Sequence, residues 1–342
     1  MKGEDKETRA FWRMARGFIY EYLPKVRRLS PETTASYKTS LKVFLSYLML
    51  EHHITKKKIN LSDFNRDRIK AFITWLAETK DLAPKSINLR MTAVKSFLRY
   101  CSEEDMTFTD LYVGAKSLRG IKTPKQPIRF MTRAATASLL NVIPGSNPKE
   151  RRDKMILMFM YDTAARVQEI ADVSTSDIHI DVRHPFVTLK GKGGKIRNVP
   201  LMLKTVDHIK GYLKEFHPDG AAGPLFYSNR YGAKHALSTD SISLILKNAA
   251  SRARQKCDDV PVDIHCHLVR KTRAMDLYHE GVSLPIVMQI LGHESISTTT
   301  GFYAFATMDM MYTEMEKAHP DIAVEQPKWK EKQFLDILYS LD

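Results

Sequence analysis

The sequence predicts a mainly α-helical protein with a small antiparallel β-sheet, an α+β fold divided between two domains. Three segments of the first third place apolar residues at helical spacing. Further along, two strand-like runs flank Gly191-Lys192-Gly193-Gly194, which is typical of a β-hairpin. The length of 342 residues is enough for two ordinary domains. The 43% apolar content is enough to bury a core and excludes a wholly disordered chain.

The first segment is predicted to form helices. Ser30-Pro31-Glu32-Thr33 combines a serine cap, an early proline and an early acid, and it opens a helix over Ala35–Leu50. Two more helices are predicted, one over Ser62–Thr79 and one that begins after Ala83-Pro84. Their aromatic residues fall on the apolar faces. We therefore expect these aromatics in the core rather than stacked on bases.

A basic linker is predicted over residues 119–130, which hold two prolines and no apolar period. It separates a helical domain, residues 1–118, from a second domain, residues 131–319. The second domain's hairpin lies within Val182–Pro200. Its helices are predicted over Thr132–Val142, Asp153–Tyr161, Ser238–Ala253, Leu268–Glu280 and Leu284–Leu291.

Positive charge is concentrated in the first third of the chain. The formal net charge is +14, and residues 1–129 hold 26 basic against 14 acidic side chains. This excess favours a polyanionic partner, either nucleic acid or an anionic membrane surface. The alternative is a basic protein whose charge serves only solubility.

The cellular context is predicted to be the cytoplasm. Three scattered cysteines fit a reducing compartment better than a disulfide framework. The N-terminus has no apolar signal-peptide core, and no uncharged apolar stretch is long enough for a membrane span. Only a peripheral membrane mode remains, so nucleic acid, reached at the nucleoid, is the favoured partner.

Candidate DNA contacts lie on the third predicted helix and in the linker. On the helix, four basic residues point away from the apolar face, and their alternative role is a solvated surface. In the linker, two lysines can follow a phosphate backbone. The set is Lys85, Arg90, Lys95, Arg99, Lys122 and Lys125.

An arginine directly follows a strongly apolar helix in the segment Asp162–Ile170. Burying the Arg166 guanidinium requires a partner. One candidate is a structural carboxylate such as Glu169, and another is a bound phosphate, which suits the planar fork of arginine. On this segment alone the structural pairing is the favoured interpretation.

A second pattern is the segment His265–Arg270, which begins His-Cys-His. A metal site is disfavoured because ligands two residues apart diverge on a helix, and no second pair lies at zinc spacing. His267 and Arg270 are three residues apart and share one helical face. That face can offer a proton-transfer group beside a phosphate clamp.

A third pattern is Leu291-Gly292-His293, followed ten residues after the histidine by Tyr303. A histidine near a tyrosine is usually a satisfied core pair, and a tyrosine hydroxyl with a pKa of about 10 is a poor nucleophile. To attack a phosphodiester it needs nearby cations and a group that accepts its proton.

Taken in order, these residues resemble the catalytic pattern of the tyrosine recombinase (integrase) family of site-specific DNA recombinases. That pattern is an arginine, a lysine on a β-hairpin, His-x-x-Arg, Leu-Gly-His and a tyrosine. The N-terminal segment also resembles the core-binding domain of this family, and the resemblance covers roughly residues 30–315. The matching catalytic positions are Arg166, Lys192, His267, Arg270, His293 and Tyr303.

The chain departs from the family pattern at three points. Ala165 stands before the first arginine where the family usually has leucine or methionine, and Lys271 stands where many members have histidine. A nine-residue spacing from His293 to the tyrosine is also common, but that position is Phe302, which has no hydroxyl. None of these changes removes a catalytic group.

The resemblance implies two domains that form a C-shaped clamp around double-stranded DNA. It implies that Arg166 and Arg270 bind the non-bridging oxygens of one phosphate. Lys192, carried on the hairpin, is expected to act as general acid on the departing 5′-oxygen.

The remaining roles follow from the same resemblance. Tyr303 is expected to form a 3′-phosphotyrosyl bond, with His267 assisting its proton transfer and His293 hydrogen-bonded to the phosphate. Recombination sites with inverted repeats, a homotetramer and a Holliday junction are implied, and no metal, nucleotide or other cofactor is.

The tail, residues 320–342, is predicted to carry an amphipathic helix over Lys328–Leu341. By resemblance it docks on a neighbouring subunit, and its own domain is the alternative. Two other functions stay open at this point, a type IB topoisomerase and a DNA-binding regulator without catalysis. Integration, excision and resolution are equally compatible with the sequence.

Overall fold

The computed structural model of this chain describes residues 6–123, 129–230 and 233–292, with the backbone alone at Lys192 and Arg230. The chain divides into two compact units, Met1–Gln126 and Pro127–Asp342. This boundary falls inside the segment predicted as a linker. The predicted tail, Lys125, His293 and Tyr303 lie outside the described residues.

Unit 1 is helical throughout its described part. A π-helix over Phe18–Val26 follows its first α-helix. Short 3₁₀ turns lie at Leu61–Phe64 and Met106–Phe108. The α-helices are α1 (Lys6–Gly17), α2 (Pro31–Glu51), α3 (Arg66–Glu78), α4 (Pro84–Glu104) and α5 (Thr109–Ser117).

Local capping explains where two of these helices begin. The Ser30 hydroxyl accepts a hydrogen bond from the Thr33 amide at 3.4 Å, which confirms the predicted start of α2. The prediction of one helix from Ser62 to Thr79 is wrong at its beginning. The Asn65 side chain accepts from the Arg68 amide at 3.0 Å and starts α3 afresh after the 3₁₀ turn.

An aromatic core holds unit 1 together. Phe97 of α4 is fully buried, and its ring meets those of Phe11, Phe18 and Phe64 at centroid distances of 5.4 to 6.1 Å. Edge-to-face contacts of this kind stabilise a core beyond the area they bury. The expectation that the aromatics on the apolar faces of the predicted helices serve the core is confirmed for Phe44, Phe72 and Phe97, which are fully buried.

Unit 2 combines seven α-helices with two small antiparallel sheets in its described part. The helices are α6 (Arg133–Asn141), α7 (Pro148–Thr163), α8 (Val167–Asp172), α9 (Leu203–Phe216), α10 (Thr239–Arg254), α11 (Cys266–His279) and α12 (Leu284–Leu291). The strands are β1 (Ile178–His179), β2 (Phe186–Lys190), β3 (Ile196–Pro200), β4 (Tyr227–Arg230) and β5 (Ala233–Ala236).

The predicted hairpin is present as β2 and β3, paired so that Leu189 faces Arg197. Its turn contains Gly193 and Gly194 at φ of 78° and 77°, a region that favours glycine. β1 extends this sheet to three strands, and β4 and β5 form a second hairpin. Neither β1 nor the second hairpin was predicted. β1 has only two residues, and β5 is exposed along its whole length, so neither shows an apolar alternation in the sequence.

Helix α7 forms the centre of unit 2, with its apolar residues buried. It begins at Pro148, before the predicted start at Asp153, because the Asn147 side chain accepts from the Glu150 amide at 2.9 Å. It ends at Thr163, because the next residue, Ala164, has a left-handed backbone with φ of 48°. The predicted helices that correspond to α6, α10, α11 and α12 are confirmed to within two residues at each end. Within the described ranges, no helix combines the length and the hydrophobicity that crossing a bilayer requires.

We expect Phe97→Ala to lower the free energy of unfolding of unit 1 by about 3–5 kcal/mol, because it leaves a cavity in the aromatic core. Met106→Ala, at a residue that is 84% exposed, should change it by no more than about 0.5 kcal/mol. Urea denaturation followed by the fluorescence of Trp12 and Trp75, both in unit 1, measures the difference. Equal effects of the two substitutions would contradict the assigned core.

Candidate active site

Arg166 is placed by the junction between α7 and α8. The left-handed Ala164 turns the chain, and Arg166 then lies in an extended conformation just before α8. Glu169 accepts hydrogen bonds from the Arg166 backbone amide at 2.7 Å and from its Nη1 at 2.8 Å. The pairing with a structural carboxylate is therefore confirmed. The Arg166 side chain nevertheless stays 40% exposed, so it can also reach a bound anion.

Arg270 lies on α11 and is almost completely buried, with 2% of its side chain exposed. Its Nη1 donates to the Ala164 carbonyl at 2.7 Å, and its Nη2 donates to the Leu291 carbonyl. Burial, reinforced by the charges of Arg166 and Arg197, lowers its pKa to about 9. The guanidinium is thus still charged at neutral pH and joins the segment before Arg166 to the end of α12.

Arg197 of β3 is a third arginine at this place, and the sequence motifs did not identify it. Its Nη1 and Nη2 donate to the two carboxylate oxygens of Glu169, each at 2.7 Å. Its Nε donates to the Ile290 carbonyl at 2.9 Å. One signal was available: Arg197 occupies the same inward face of the strand as Val199, where a charge needs a partner.

Glu169 is the carboxylate at which these three arginines meet. Burial alone would raise its pKa, but the hydrogen bonds from Arg197 and Arg166 lower the pKa to about 2. It is therefore ionised at neutral pH. With Arg270 at 3.9 Å from Glu169, three guanidinium groups surround one carboxylate and leave a net charge of +2. We call Glu169, Arg166, Arg197 and Arg270 the arginine cluster. Its excess charge suits a phosphate, which guanidinium groups bind with two parallel hydrogen bonds.

His267 lies in the first turn of α11, three residues before Arg270, and retains exposed surface. Desolvation by the surrounding protein, together with the charges of Lys271 and Arg270, lowers its pKa to about 4. The imidazole is therefore neutral at physiological pH, the form that accepts a proton. The predicted proton-transfer group does stand beside the predicted phosphate clamp.

The hairpin approaches the arginine cluster at Gly191. A Cβ added to Gly191 would lie 3.3 Å from Oε1 of Glu169 and 3.7 Å from Nη1 of Arg166. Lys192 follows at once in the turn, so its backbone is next to the cluster. The structure brings together Arg166, His267, Arg270 and the backbone of Lys192.

The segment His265–His267 shows no convergence on a metal. His265 Nδ1 lies 3.0 Å from the Asp263 carbonyl oxygen, whereas Cys266 is buried beside Ser243. In the part of the chain that the structure describes, no group of three or more His, Cys, Asp or Glu side chains could hold a metal ion.

The predicted DNA contacts on α4 are partly engaged inside unit 1. Arg90 donates to the Ser40 hydroxyl at 3.0 Å, and Lys95 donates to a backbone carbonyl of the same unit. Burial lowers the pKa of Lys95. These two contacts connect α4 to its neighbours, which gives both residues a structural role that the sequence did not indicate.

The other candidates are more accessible. Arg99 forms an exposed pair with Glu103 at 2.8 Å, a weak type of contact that is easily exchanged for a phosphate. Lys85 and Lys122 are exposed. Phosphate binding by these residues stays a prediction.

Comparison with known proteins identifies the family model that this chain matches. Residues 129–309 match the phage integrase family, and residues 19–105 match the N-terminal SAM-like domain of phage integrases. The tyrosine recombinase XerC of Oceanobacillus iheyensis is 28% identical over 305 residues, which cover 88% of this chain and 94% of that protein.

Two solved structures share the fold. The XerH site-specific recombinase bound to a palindromic difH substrate superposes with a TM-score of 0.66 at 16% identity, covering 94% of this chain and 91% of that one. A lambda integrase tetramer bound to a Holliday junction superposes with a TM-score of 0.61 at 16% identity, covering 85% and 76%.

We expect Glu169→Gln to lower the free energy of unfolding by about 3–5 kcal/mol, because three guanidinium groups lose their buried counter-charge. Sulfate should restore more stability to this variant than to the wild type, since the anion replaces the lost charge. Thermal unfolding in sulfate and in chloride at equal ionic strength measures both effects.

Glu215→Gln is the matched control, because Glu215 accepts a comparable forked pair from Arg151 at the surface. It should cost no more than about 1 kcal/mol and show no additional response to sulfate. An identical sulfate response in the two variants would contradict an anion site at the arginine cluster.

We also expect the His267 ring to stay neutral as the pH falls from 7 to 5, because its pKa is lowered to about 4. A free histidine would gain its proton within that range. NMR titration of the ring nitrogens, with the signal assigned through His267→Gln, measures this directly. A midpoint near the ordinary histidine value would show that neither desolvation nor the neighbouring cations lower the pKa of the ring.

Proposed function

The chain belongs to the phage integrase family of tyrosine recombinases, which cleave and rejoin DNA strands, and from that membership we propose how its own residues act. It is a site-specific recombinase. The observation that carries the proposal is the arginine cluster, in which Arg166, Arg197 and Arg270 outnumber one buried carboxylate. A phosphodiester is the anion that this excess charge fits.

Arg166 and Arg270 bind and activate the phosphate. During attack, negative charge builds up on the non-bridging oxygens of a phosphodiester that already carries one charge. A preorganised donor at such a position contributes on the order of 3 kcal/mol to the barrier. Arg270 has five N–H groups and uses two in the carbonyl contacts described above. Arg166 is accessible on its outer side.

Other residues of the site carry out the proton transfers. Tyr303 attacks the phosphorus, and neutral His267 assists removal of its proton. Lys192 donates a proton to the departing 5′-oxygen, and His293 hydrogen-bonds the phosphate. The products are a 3′-phosphotyrosyl bond and a free 5′-hydroxyl, so the energy of the broken bond is conserved without a nucleotide cofactor.

Strand exchange reverses these steps with a different 5′-hydroxyl. Attack by the hydroxyl of a partner duplex releases Tyr303, and two rounds pass through a Holliday junction. We place this reaction in a homotetramer on inverted-repeat sites, with each chain closed as a C-shaped clamp and its tail, residues 320–342, docked on a neighbour. The lambda integrase tetramer on a Holliday junction supports this assembly. The proposed location is the cytoplasm, at the nucleoid.

Recombination is favoured over the two alternatives. A type IB topoisomerase would use the same chemistry on one duplex, and a DNA-binding regulator would use none. The matched relative and the two structural neighbours are named as recombinases or an integrase. A non-catalytic binder also has no need for a neutral histidine beside a buried arginine clamp.

We expect Tyr303→Phe to bind DNA but to form no covalent adduct, because only the hydroxyl can attack phosphorus. A pool of random-sequence duplexes is incubated with each protein, and DNA that stays attached after denaturation in detergent is recovered and sequenced. The recovered sequence then serves in a gel-shift assay of binding.

Tyr312→Phe is the matched control, because it removes a tyrosine hydroxyl from the same segment at a position too distant from His293 to fit the family spacing. It should form the adduct as the wild type does. An adduct that persists in Tyr303→Phe and disappears in Tyr312→Phe would refute the assigned nucleophile.

A further inference from the structure

We infer that Arg197 is a positioning residue for the protonation step: it fixes the β2–β3 hairpin, and with it Lys192, against the phosphate-binding arginines. The inference rests on the proposed function, in which Lys192 is the general acid. No motif in the sequence singles out Arg197, and its role follows from its contacts.

All three nitrogen atoms of the Arg197 guanidinium donate hydrogen bonds to the protein. Its two Nη atoms donate to the two oxygens of Glu169, each at 2.7 Å, and its Nε donates to the Ile290 carbonyl at 2.9 Å. Only 10% of the side chain is exposed, against 40% for Arg166. Through these contacts Arg197 is well placed to hold three segments together: α8, β3 and α12.

The hairpin needs such an anchor because its tip is open. A Cβ added to Gly193 or Gly194 would meet no atom of the described residues within 4 Å. Below the tip, Arg197 pairs in register with the buried Leu189. Lys192 lies five residues before Arg197, so the position of its backbone depends on how firmly the base of the hairpin is held.

The same guanidinium constrains the end of α12, which leads to His293. Gly292 has a left-handed backbone with φ of 61°, and a Cβ there would lie 2.9 Å from Cδ of Arg197. Glycine permits this close approach. Arg197 thus places the Lys192 hairpin, the Glu169 carboxylate and the C-terminal end of α12 relative to one another.

Lysine cannot replace this arginine, because a single ammonium group cannot reach both Glu169 oxygens and the Ile290 carbonyl in the same fixed geometry. Arg197→Lys therefore keeps the charge of the arginine cluster but removes the forked guanidinium that holds both oxygens of Glu169. If positioning is the role, the loss should appear in the step that depends on Lys192.

The test compares two leaving groups on the duplex recovered by covalent capture. One duplex has the ordinary 5′-oxygen at the cleaved bond, and the other has a 5′-bridging sulfur, whose thiolate leaves without a proton. Arg197→Lys should slow cleavage of the oxygen duplex by about 100-fold, the cost of misplacing a catalytic group by about 1 Å. It should cleave the sulfur duplex at close to the wild-type rate.

Two variants calibrate this result. Lys192→Ala should show the same rescue by sulfur, and equal loss on both duplexes would refute the acid assignment and the inference with it. Arg151→Lys removes an equivalent fork from the exposed pair with Glu215 and should cleave both duplexes normally. If Lys192→Ala is rescued and Arg197→Lys is not, the proposed function stands and the positioning role fails.

Gly292→Ala provides a second route should Arg197→Lys unfold. The added Cβ displaces the Arg197 side chain from α12 while the guanidinium itself remains. The same dependence on the leaving group is expected from this variant. Equal slowing on both duplexes would instead assign the effect of Gly292→Ala to His293 or to the fold and would overturn the inference.

Discussion

The catalytic unit depends on the contacts that three arginines make with one ionised carboxylate, that of Glu169. Arginines from the start of α8, from β3 and from α11 meet at this one buried group, either in hydrogen bonds or at 3.9 Å. Without it, their mutual repulsion and the desolvation of buried Arg270 would oppose folding. With it, the cluster is held together and still carries excess positive charge, which is the charge that the proposed function assigns to phosphate binding.

Charge acts on two length scales in this chain. Residues 1–129 carry a net charge of +12 and the remainder only +2, so long-range attraction to DNA comes mostly from the first third. Salt screens such attraction beyond about 10 Å. Three guanidinium groups around one carboxylate are close enough to escape that screening. Under the proposed mechanism, total charge therefore accounts for holding DNA, and a few fixed charges in the second unit account for selecting one phosphate.

The sequence predicted the features of both units that are encoded locally. Capping residues and apolar spacing located α2, α6, α10, α11 and α12, and the glycine turn located the hairpin. The family pattern then named Arg166 and Arg270. It did not reveal Arg197, because which arginine shares Glu169 is decided by strands and helices that meet only in three dimensions. The hydrogen-bond partners of Arg90 and Lys95 within unit 1 were hidden for the same reason.

The lowered pKa of His267 connects this arrangement to the direction of the reaction. Desolvation and the neighbouring cations Lys271 and Arg270 hold the ring neutral before DNA arrives, so it is ready to receive a proton. A phosphate bound between Arg166 and Arg270 adds negative charge beside the same ring and opposes those cations. The basicity of His267 therefore rises when the substrate is in place, which is when the Tyr303 proton must move. Under the proposed mechanism, the bound phosphate therefore makes His267 a better acceptor for the Tyr303 proton.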